Sequence, residues 1–433
     1  MAPRVAISSV SRPAVIRVAS PGAVVLALAL PLLFLHRTWQ PSVGSVTLSD
    51  VAVVAVLLAA IVAGVREGFA PLVAGRVVWL TWAFFLFWLA VATAYGAARF
   101  GAYPLRKHAV TLVKWYEYAL LAPAVPLLLR RRRDLELVLW SLALWSAAAT
   151  FVGVLEWFGL DVAAKGAFGK RQASFLGSSD FAALSGAALL AGFVVRRGPL
   201  AWILVVSGAM GSIVAGSISA LLGLATAAAL ALLVLVRVDR RRAVALAGTL
   251  AVVAAGSVAI RTADLTAFQR FLGGTPDTAE PNKVQTYSHR TTLAYIGGRI
   301  WLAHPLLGVG WQGSKDPWAY MPYVPDAKRK FPHEAPLAFP APNRPYGIQL
   351  MYLEALADLG PVGLLAVVAL FAAPFVALRG RSNAAGAIAA LWILFVAWCW
   401  TAQDFVAGIP LDALTWLTVG LAVTAAAWRR AGV

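Results

Sequence analysis

The stretch RTADLTAFQRFLGGTPDTAEPNKVQ, residues 261–285, opens the one long interval of this chain that is not dominated by apolar runs. The interval reaches Gly360 and mixes charged side chains with aromatic ones such as Trp301, Trp311 and Tyr320. It is far longer than an ordinary connection between helices, and connections of such length are generally functional or disordered. Because its aromatic residues favour a folded segment, we predict a large loop with short helices over residues 261–346.

Composition decides the broad class of the protein. Hydrophobic residues make up 61% of the chain and charged residues only 13%, a balance too apolar for one soluble globule. Apolar runs close to the roughly 17 to 25 residues of a bilayer-spanning helix recur along the chain. They cover residues 20–35, 46–65, 77–97, 108–129, 135–158, 180–195, 199–216, 217–236, 243–260, 361–378, 384–402 and 408–427. These runs predict an all-α polytopic membrane protein with about twelve transmembrane helices.

The runs and the loop divide one membrane domain into three parts. Residues 1–260 are expected to hold transmembrane helices 1 to 9, and residues 261–346 form the large loop. Residues 347–433 are expected to hold a loop-exit helix followed by transmembrane helices 10 to 12.

Basic connections set the expected orientation. They fall between alternate spans at Arg66 with Arg76, Arg130 to Arg133, Arg196 with Arg197, Arg237 with Arg240 to Arg242, Arg379 with Arg381, and Arg429 with Arg430. The positive-inside rule assigns this face to the cytoplasm, so both termini are predicted to be cytoplasmic and the large loop extracytoplasmic. Only a Gly-Ser turn separates the runs beginning at 199 and 217, and merging them would reverse the orientation of everything that follows.

The net charge of +18 fits either cytoplasmic anchoring or an anionic partner. In the predicted topology about half of the basic residues lie on the outer side, Arg99 among them. Lys114 lies inside a predicted span, where an ionisable residue is a functional hypothesis by default. Its alternative role is an ion pair with Glu117. Arg99 and Lys114 are therefore candidates for binding an anionic substrate.

Missing motifs narrow the chemistry. The lone cysteine, Cys399, excludes a multi-cysteine metal site, and the chain has no phosphate-binding loop, dinucleotide fingerprint or His-Glu-x-x-His zinc helix. We therefore expect no cofactor, no metal and no nucleic-acid partner. An enzyme on the outer face has no cytosolic nucleotide, so its donor must arrive already activated, and lipid-linked diphosphate sugars are the usual solution. Arginine suits such a donor because its guanidinium binds phosphate oxygens in a bidentate manner.

Three segments carry a resemblance to a known family. SHRTTLAYIGGRIWLAHPLLGVGWQ (288–312), YLEALADLGPVGLL (352–365) and KRQASFLGSSDFAAL (170–184) resemble the O-antigen ligase and polymerase superfamily of integral-membrane glycosyltransferases. The matching features are Arg290 at a helix start, the turn from His304 to Gly310, the sequence Ala357-Asp358-Leu359-Gly360, and Arg171 in an outer loop.

The resemblance implies roles for individual residues. Arg171 and Arg290 would bind the lipid diphosphate together, although Arg290 could instead pair with Asp277 or Glu280. The ligases also use a His ahead of the last motif to orient or deprotonate the acceptor, and Gln349 occupies that position here. Because Gln cannot act as a base at neutral pH, this departure favours polymerase over ligase.

Other residues could serve the reaction or merely the fold. His333 beside Glu334 could replace the missing base, or lie in an exposed turn. His289 could serve as a base or contact substrate, or could cap its helix, and His304 is expected to be structural. Glu354 and Asp358 share a helix face and could hold an acceptor sugar or pair with loop arginines. Arg344 completes the set of substrate-binding candidates.

The resemblance implies an inverting, metal-independent glycosyltransferase of the cytoplasmic (inner) membrane with an extracytoplasmic active site. Its donor would be a glycan on polyprenyl (undecaprenyl) diphosphate. Its acceptor would be another lipid-linked repeat unit for an O-antigen polymerase, and a lipid A core sugar or a protein hydroxyl for a ligase. A chain-length regulator or other assembly partner is compatible with this role. A lipid-linked glycan flippase is the alternative from a different class, although we find no internal repeat of the kind transporters usually have.

Overall fold

A computed structural model describes residues 19–36, 39–43, 46–160, 162–163, 171–195, 198–272, 286–345, 347–380 and 383–432. Helices dominate these ranges. The extended structure there consists of an antiparallel hairpin and one isolated bridge between Ala341 and Arg344. The hairpin strands are β1 (Ser42–Val43) and β2 (Val46–Thr47).

The helices follow the apolar runs closely. The first ten are α1 (Pro21–Leu33), α2 (Leu48–Glu67), α3 (Arg76–Arg99), α4 (Leu105–Ala119), α5 (Leu121–Leu128), α6 (Arg132–Trp157), α7 (Ser178–Val194), α8 (Pro199–Ala215), α9 (Ile218–Val238) and α10 (Arg240–Ile260). The remaining seven are α11 (Thr262–Leu272), α12 (Thr286–Ala303), α13 (Pro317–Tyr320), α14 (Val324–Lys330), α15 (Met351–Ala377), α16 (Ala384–Cys399) and α17 (Pro410–Arg430). The prediction of an all-α membrane protein is confirmed.

Seven helical segments in the described ranges are long and apolar enough to cross a membrane. They are Leu48–Glu67, Ala70–Arg99, Arg132–Trp157, Arg240–Ile260, Met351–Ala377, Ala384–Ala402 and Pro410–Arg430. Four further apolar helical segments are shorter: Pro21–Leu33, Ser178–Val194, Pro199–Ala215 and the part of α9 from Ile218 to Leu233. The predicted run 108–129 divides into α4 and α5. A total of twelve crossings therefore stays a prediction.

Helix α17 lies at the centre of the bundle, since nearly all of its residues are buried. Its buried Thr415, Thr418 and Thr424 hydroxyls each donate to the carbonyl four residues earlier. These bonds satisfy the hydrogen-bonding capacity of the threonine hydroxyls, as burial in an apolar environment requires. Gly420 also allows close packing, because a Cβ atom there would lie 2.5 Å from the Ala122 carbonyl oxygen.

Four of the six predicted basic connections meet at one end of the bundle. Arg130 donates to the Gly68 carbonyl, Arg429 to the Ala377 carbonyl and Arg430 to the Val73 carbonyl. These contacts join connections that lie far apart in the sequence. They place these four connections on a common face, and the assignment of that face to the cytoplasm stays a prediction. Arg196 and Arg197 lie outside the described residues.

The opposite end of the bundle carries a second, smaller hydrophobic core. Ile296, Ile300, Val309, Tyr320 and Phe339 are buried together there, in residues that belong to the predicted loop. The part of the loop from 286 to 345 is therefore folded on a core of its own, as its aromatic residues suggested. Its position outside the bilayer remains a prediction.

Candidate functional site

The turn from His304 to Gly310 docks on a kink in α15. The Val309 and Gly310 N–H groups donate to the carbonyls of Ala357 and Asp358, each at 2.9 Å. These carbonyls are accessible because α15 breaks at Gly360, whose φ of 70° and ψ of −174° are not helical. Two of the segments that carried the family resemblance are thus joined through their backbones.

Steric constraints require glycine at two positions of this junction. A Cβ atom on Gly360 would lie 2.1 Å from the Leu306 carbonyl oxygen, and one on Gly308 would lie 2.5 Å from the Ala357 carbonyl oxygen. Both residues also have φ near +70°, which favours glycine. The Trp88 indole N–H donates to the Leu359 carbonyl at 3.0 Å, so α3 stabilises the same kink.

Directly after the turn, Lys315 forms a buried three-member charge cluster. Its Nζ atom lies 3.0 Å from Glu354 Oε1 and 3.0 Å from Asp404 Oδ2. The same ammonium donates to the Phe405 carbonyl at 2.7 Å, and the Phe405 N–H donates to Glu354 Oε2 at 2.8 Å. Burial opposes the charge of Lys315, but Asp404 and Glu354 together raise its pKa above the ordinary value.

This cluster adjoins the segment that carries Gln349. A Cβ atom on Gly347 would lie 2.1 Å from Asp404 Oδ2 and 3.1 Å from Lys315 Cε, so the backbone two residues before Gln349 rests on the ion pair. Glu354 is fully buried, whereas the Asp404 side chain is 18% exposed. Of the two carboxylates, Asp404 is therefore the one that a small hydroxyl group can approach.

A second charged group lies beside the first. Asp316 Oδ1 is 3.0 Å from Lys107 Nζ, and Asp316 Oδ2 is 2.6 Å from His108 Nε2. Burial would raise the pKa of Asp316, but its contacts with His108 and Lys107 outweigh burial and hold that pKa below its usual value. These contacts tie the loop of residues 311–316 to the start of α4.

Aromatic rings support both groups. The Trp115 ring lies 5.8 Å from Trp311, 5.4 Å from Phe405, 5.9 Å from Trp400 and 6.1 Å from Trp416, measured between ring centroids. Tilted and edge-to-face arrangements at such distances are favourable beyond the area they bury. Together the rings form a packed aromatic cluster under the charged loop.

Three residues near these segments have strained backbones. Ser174, Gln312 and Gln349 have φ values of 51°, 61° and 54°, and they are the non-glycine residues with positive φ in the described ranges. Such values are uncommon for residues with a Cβ atom, and they persist where the surrounding structure enforces them. Each lies in or next to one of the segments that carried the resemblance.

Arg171 precedes α7 in the chain and is buried against the turn between α8 and α9. Its Nε donates to the Ala215 carbonyl at 3.3 Å and its Nη2 to Ser178 Oγ at 3.0 Å. Arg261 donates from Nη1 to the neighbouring Gly216 carbonyl at 3.4 Å. Two guanidinium groups thus gather at the C-terminal end of α8, where positive charge is favourable.

A second basic group lies at the start of α12. Burial and the nearby charges of Arg290 and Arg344 lower the pKa of His289 to about 4. Arg344 also donates to the Phe339 carbonyl at 3.2 Å. His289 is therefore neutral at ordinary pH, and its companions are the cations. The convergence of Arg290 with Arg171 stays a prediction, and Asp277 and Glu280 lie outside the described residues.

The other candidates lie as follows. Lys114 is paired with Asp50 at 2.7 Å, so Asp50 and not Glu117 is its ion-pair partner. His304 packs its ring against Phe100, and burial together with the Arg99 charge lowers its pKa, in keeping with a structural role. His333 is exposed in a turn.

Asp358 is fully buried and accepts from the Ser314 N–H at 2.8 Å. Glu354 and Asp358 therefore stabilise loop residues 314–315, and their contact with a sugar stays a prediction. Sequence reasoning missed Lys315, Asp404 and the Asp316 group. Their partners lie about 40 to 210 residues away in the chain, and no local pattern signals such pairings.

Fold and site together define a multi-pass helical membrane protein whose polar side chains converge at one end of the bundle. The O-antigen ligase family model matches residues 202–368 of this chain, which confirms the resemblance to the O-antigen ligase-related superfamily. The match includes Arg290, Lys315, Gln349 and the α15 kink. A search of curated proteins found no match. This match supports a membrane enzyme of the O-antigen ligase/polymerase type that acts in surface polysaccharide synthesis.

Proposed function

We propose that this protein is a polysaccharide polymerase that transfers a glycan from polyprenyl diphosphate to a sugar hydroxyl of a second lipid-linked glycan. The reaction takes place on the extracytoplasmic face of the cytoplasmic membrane, with both termini in the cytoplasm. The main support for the proposal is the set of residues in the segment that the O-antigen ligase family model matches. It contains Arg290, Gln349 and the buried Lys315 and Glu354, and it contacts Asp404 in the following loop.

The leaving group is the lipid diphosphate, and its developing negative charge is what Arg171 and Arg290 stabilise. Preorganised donors of this kind commonly contribute a few kcal/mol each to transition-state binding. The acceptor hydroxyl attacks the anomeric carbon from the opposite side, so the configuration inverts. No metal ion takes part in this proposal.

Gln349 favours the polymerase over the ligase. Its amide can orient a hydroxyl by hydrogen bonding but cannot take up a proton at neutral pH. Asp404 is the carboxylate that adjoins this segment with part of its side chain exposed. In this proposal Asp404 accepts the hydrogen bond of the incoming hydroxyl and takes up its proton as the new glycosidic bond forms, and Lys315 fixes the carboxylate in place.

The decisive experiment supplies purified protein in detergent with a lipid-linked repeat unit and no other acceptor. A ladder of longer lipid-linked chains is expected, and Arg290→Ala is the matched inactive control. Product that appears only after addition of a lipid A core oligosaccharide or a protein would show a ligase instead. If no product forms, the protein is reconstituted into vesicles. Movement of the lipid-linked repeat unit across the vesicle membrane would then show a flippase.

Orientation is tested separately with reporter fusions. A fusion after Gly313 should register as extracytoplasmic, and fusions after Arg133 or Arg242 as cytoplasmic. A cytoplasmic signal after Gly313 would place the site on the wrong side for a flipped donor. That result would refute the proposed location of the reaction.

A further inference from the structure

A groove between α2 and α4 opens on the surface of the helix bundle. Its volume is about 740 Å³, and its walls are mainly valine and alanine side chains. Val51 and Val54 of α2 and Val110 and Val113 of α4 line it and are 44–64% exposed. Since both helices start at the site end of the bundle, the groove runs from that end inward.

Ionisable residues distinguish this groove from an ordinary lipid-facing surface. Arg106, Asp50, Lys114 and Glu117 all line it. Arg106 is exposed and forms no hydrogen bond or ion pair with other residues in the described ranges. The Asp50 carboxylate is buried and accepts from Lys114 through Oδ2, while its Oδ1 has no donor among the described residues. Ionisable groups facing lipid are costly, so their presence marks a site for a polar headgroup or substrate.

The length of the groove fits a lipid chain that occupies one leaflet of the bilayer. Arg106 lies in the first turn of α4, and Glu117 lies eleven residues further in, so the groove wall is about 16 Å long. This length is close to half of a hydrocarbon core of about 30 Å. A lipid phosphate at Arg106 would therefore have its chain along Val110 and Val113, with no need to cross the bilayer.

The opposite face of α4 belongs to the candidate site. His108 contacts Asp316, Thr111 accepts from the Trp311 indole at 3.1 Å, and the Trp115 ring packs on Trp311. Residues 106, 110, 113 and 117 recur at helical spacing on the groove side. One helix, about 10 Å thick with its side chains, thus separates the groove from the charged loop.

We propose that this groove binds the isoprenoid chain and phosphate of the acceptor, the second polyprenyl-linked glycan that each elongation step consumes. The inference rests on the proposed function, because a polymerase must hold two such lipids at once. Arg171 and Arg290 take the donor diphosphate, while Arg106 takes the acceptor phosphate. A guanidinium without a partner at the mouth of an apolar groove matches an anionic headgroup on an apolar chain.

The test is photochemical capture of undecaprenyl monophosphate by full-length protein in nanodiscs. Val113→p-benzoylphenylalanine places the probe in the groove. Val252→p-benzoylphenylalanine on α10 is the matched control, because Val113 and Val252 are 64% and 63% exposed. We expect strong capture at position 113, near background at position 252, and about a tenfold loss on adding Arg106→Gln, which removes the charged bidentate contact. Val110→p-benzoylphenylalanine replaces the first variant if that protein does not fold.

Two results would overturn the inference. One is equal capture at positions 113 and 252. The other is displacement of the probe by excess phosphatidylglycerol as readily as by unlabelled undecaprenyl monophosphate, which would make the groove an ordinary phospholipid site. Because the probe carries no sugar, capture does not depend on catalysis. Capture without polymer from a lipid-linked repeat unit would refute the proposed function alone, and polymer without capture would refute the groove alone.

Discussion

Replacing Lys315 with methionine should be one of the most destabilising single substitutions in this protein. The methionine keeps much of the side-chain length but removes the only cation bonded to both Glu354 and Asp404 in the described structure. At an effective dielectric constant of about 20, each of the two attractions at 3.0 Å amounts to about 5 kcal/mol before desolvation. Desolvation offsets part of this gain, and a buried pair broken on one side typically loses about 3–5 kcal/mol.

Glu354→Gln supplies the matched control. The amide oxygen of Gln can still accept from the Phe405 N–H, and the Lys315–Asp404 pair remains. We therefore expect a loss of only about 1 kcal/mol for this variant. The double variant Lys315→Met with Glu354→Gln should lose less than the sum of the single losses, because both substitutions act on the same ion pair.

Unfolding in mixed micelles of dodecylmaltoside and increasing sodium dodecyl sulfate gives the free energies. The 17 tryptophans provide an intrinsic fluorescence signal. A Lys315→Met protein no less stable than Glu354→Gln would refute the reasoning, since it would mean that the carboxylates do not depend on the ammonium. Strict additivity in the double variant would refute the coupling.

Three further outcomes are expected. Arg171→Lys and Arg290→Lys should each lose most of the polymerisation rate with folding intact. If both arginines bind one diphosphate, the activation free energy lost in the double variant should be smaller than the sum of the two single losses. Additive losses would mean that the two arginines act on different groups. Gly360→Ala should destabilise by about 2 kcal/mol or more, through strain at positive φ and the clash with Leu306, while Gly298→Ala in open helix surface should be neutral or stabilising. The pKa of His289 is about 4 in the folded state against 6.5 ordinarily, so the unfolded chain binds more protons between these values and stability should fall as pH drops from 6.5 to 4. The difference between wild type and His289→Gln in unfolding experiments isolates this effect.

Sequence reasoning predicted those parts of the structure that depend on local pattern. Apolar length located most of the helices. The family resemblance singled out the turn at Gly308 and the segment ending at Gly360, and the structure joins these two segments through backbone hydrogen bonds. Such signals survive in one sequence because bilayer thickness and glycine conformation act on neighbouring residues. The folded character of residues 286–345 followed in the same way from their aromatic content.

The parts that could not be predicted depend on pairing across the chain. The ion pair considered for Lys114 as an alternative to substrate binding was with Glu117, three residues away on its own helix, but Lys114 pairs with Asp50 of α2. Lys315 gave no signal at all, because its partner Asp404 belongs to the connection between the last two helices. Arg261, the first residue of the predicted loop, caps the end of α10 and is buried against Gly216. Helix packing decides these contacts, and a single sequence does not record which helices become neighbours.

The bonds from Lys315 and Gln312 to the Phe405 carbonyl have a consequence for biosynthesis. Membrane insertion proceeds from the N-terminus, so the loop around Lys315 leaves the ribosome well before residue 405. During that interval the lysine lacks Asp404, and the Phe405 backbone that satisfies Glu354 does not yet exist. Contacts between residues so far apart in sequence form late. The last helical hairpin therefore completes the charged loop, and a nascent or truncated chain inserts its earlier helices without assembling a competent site.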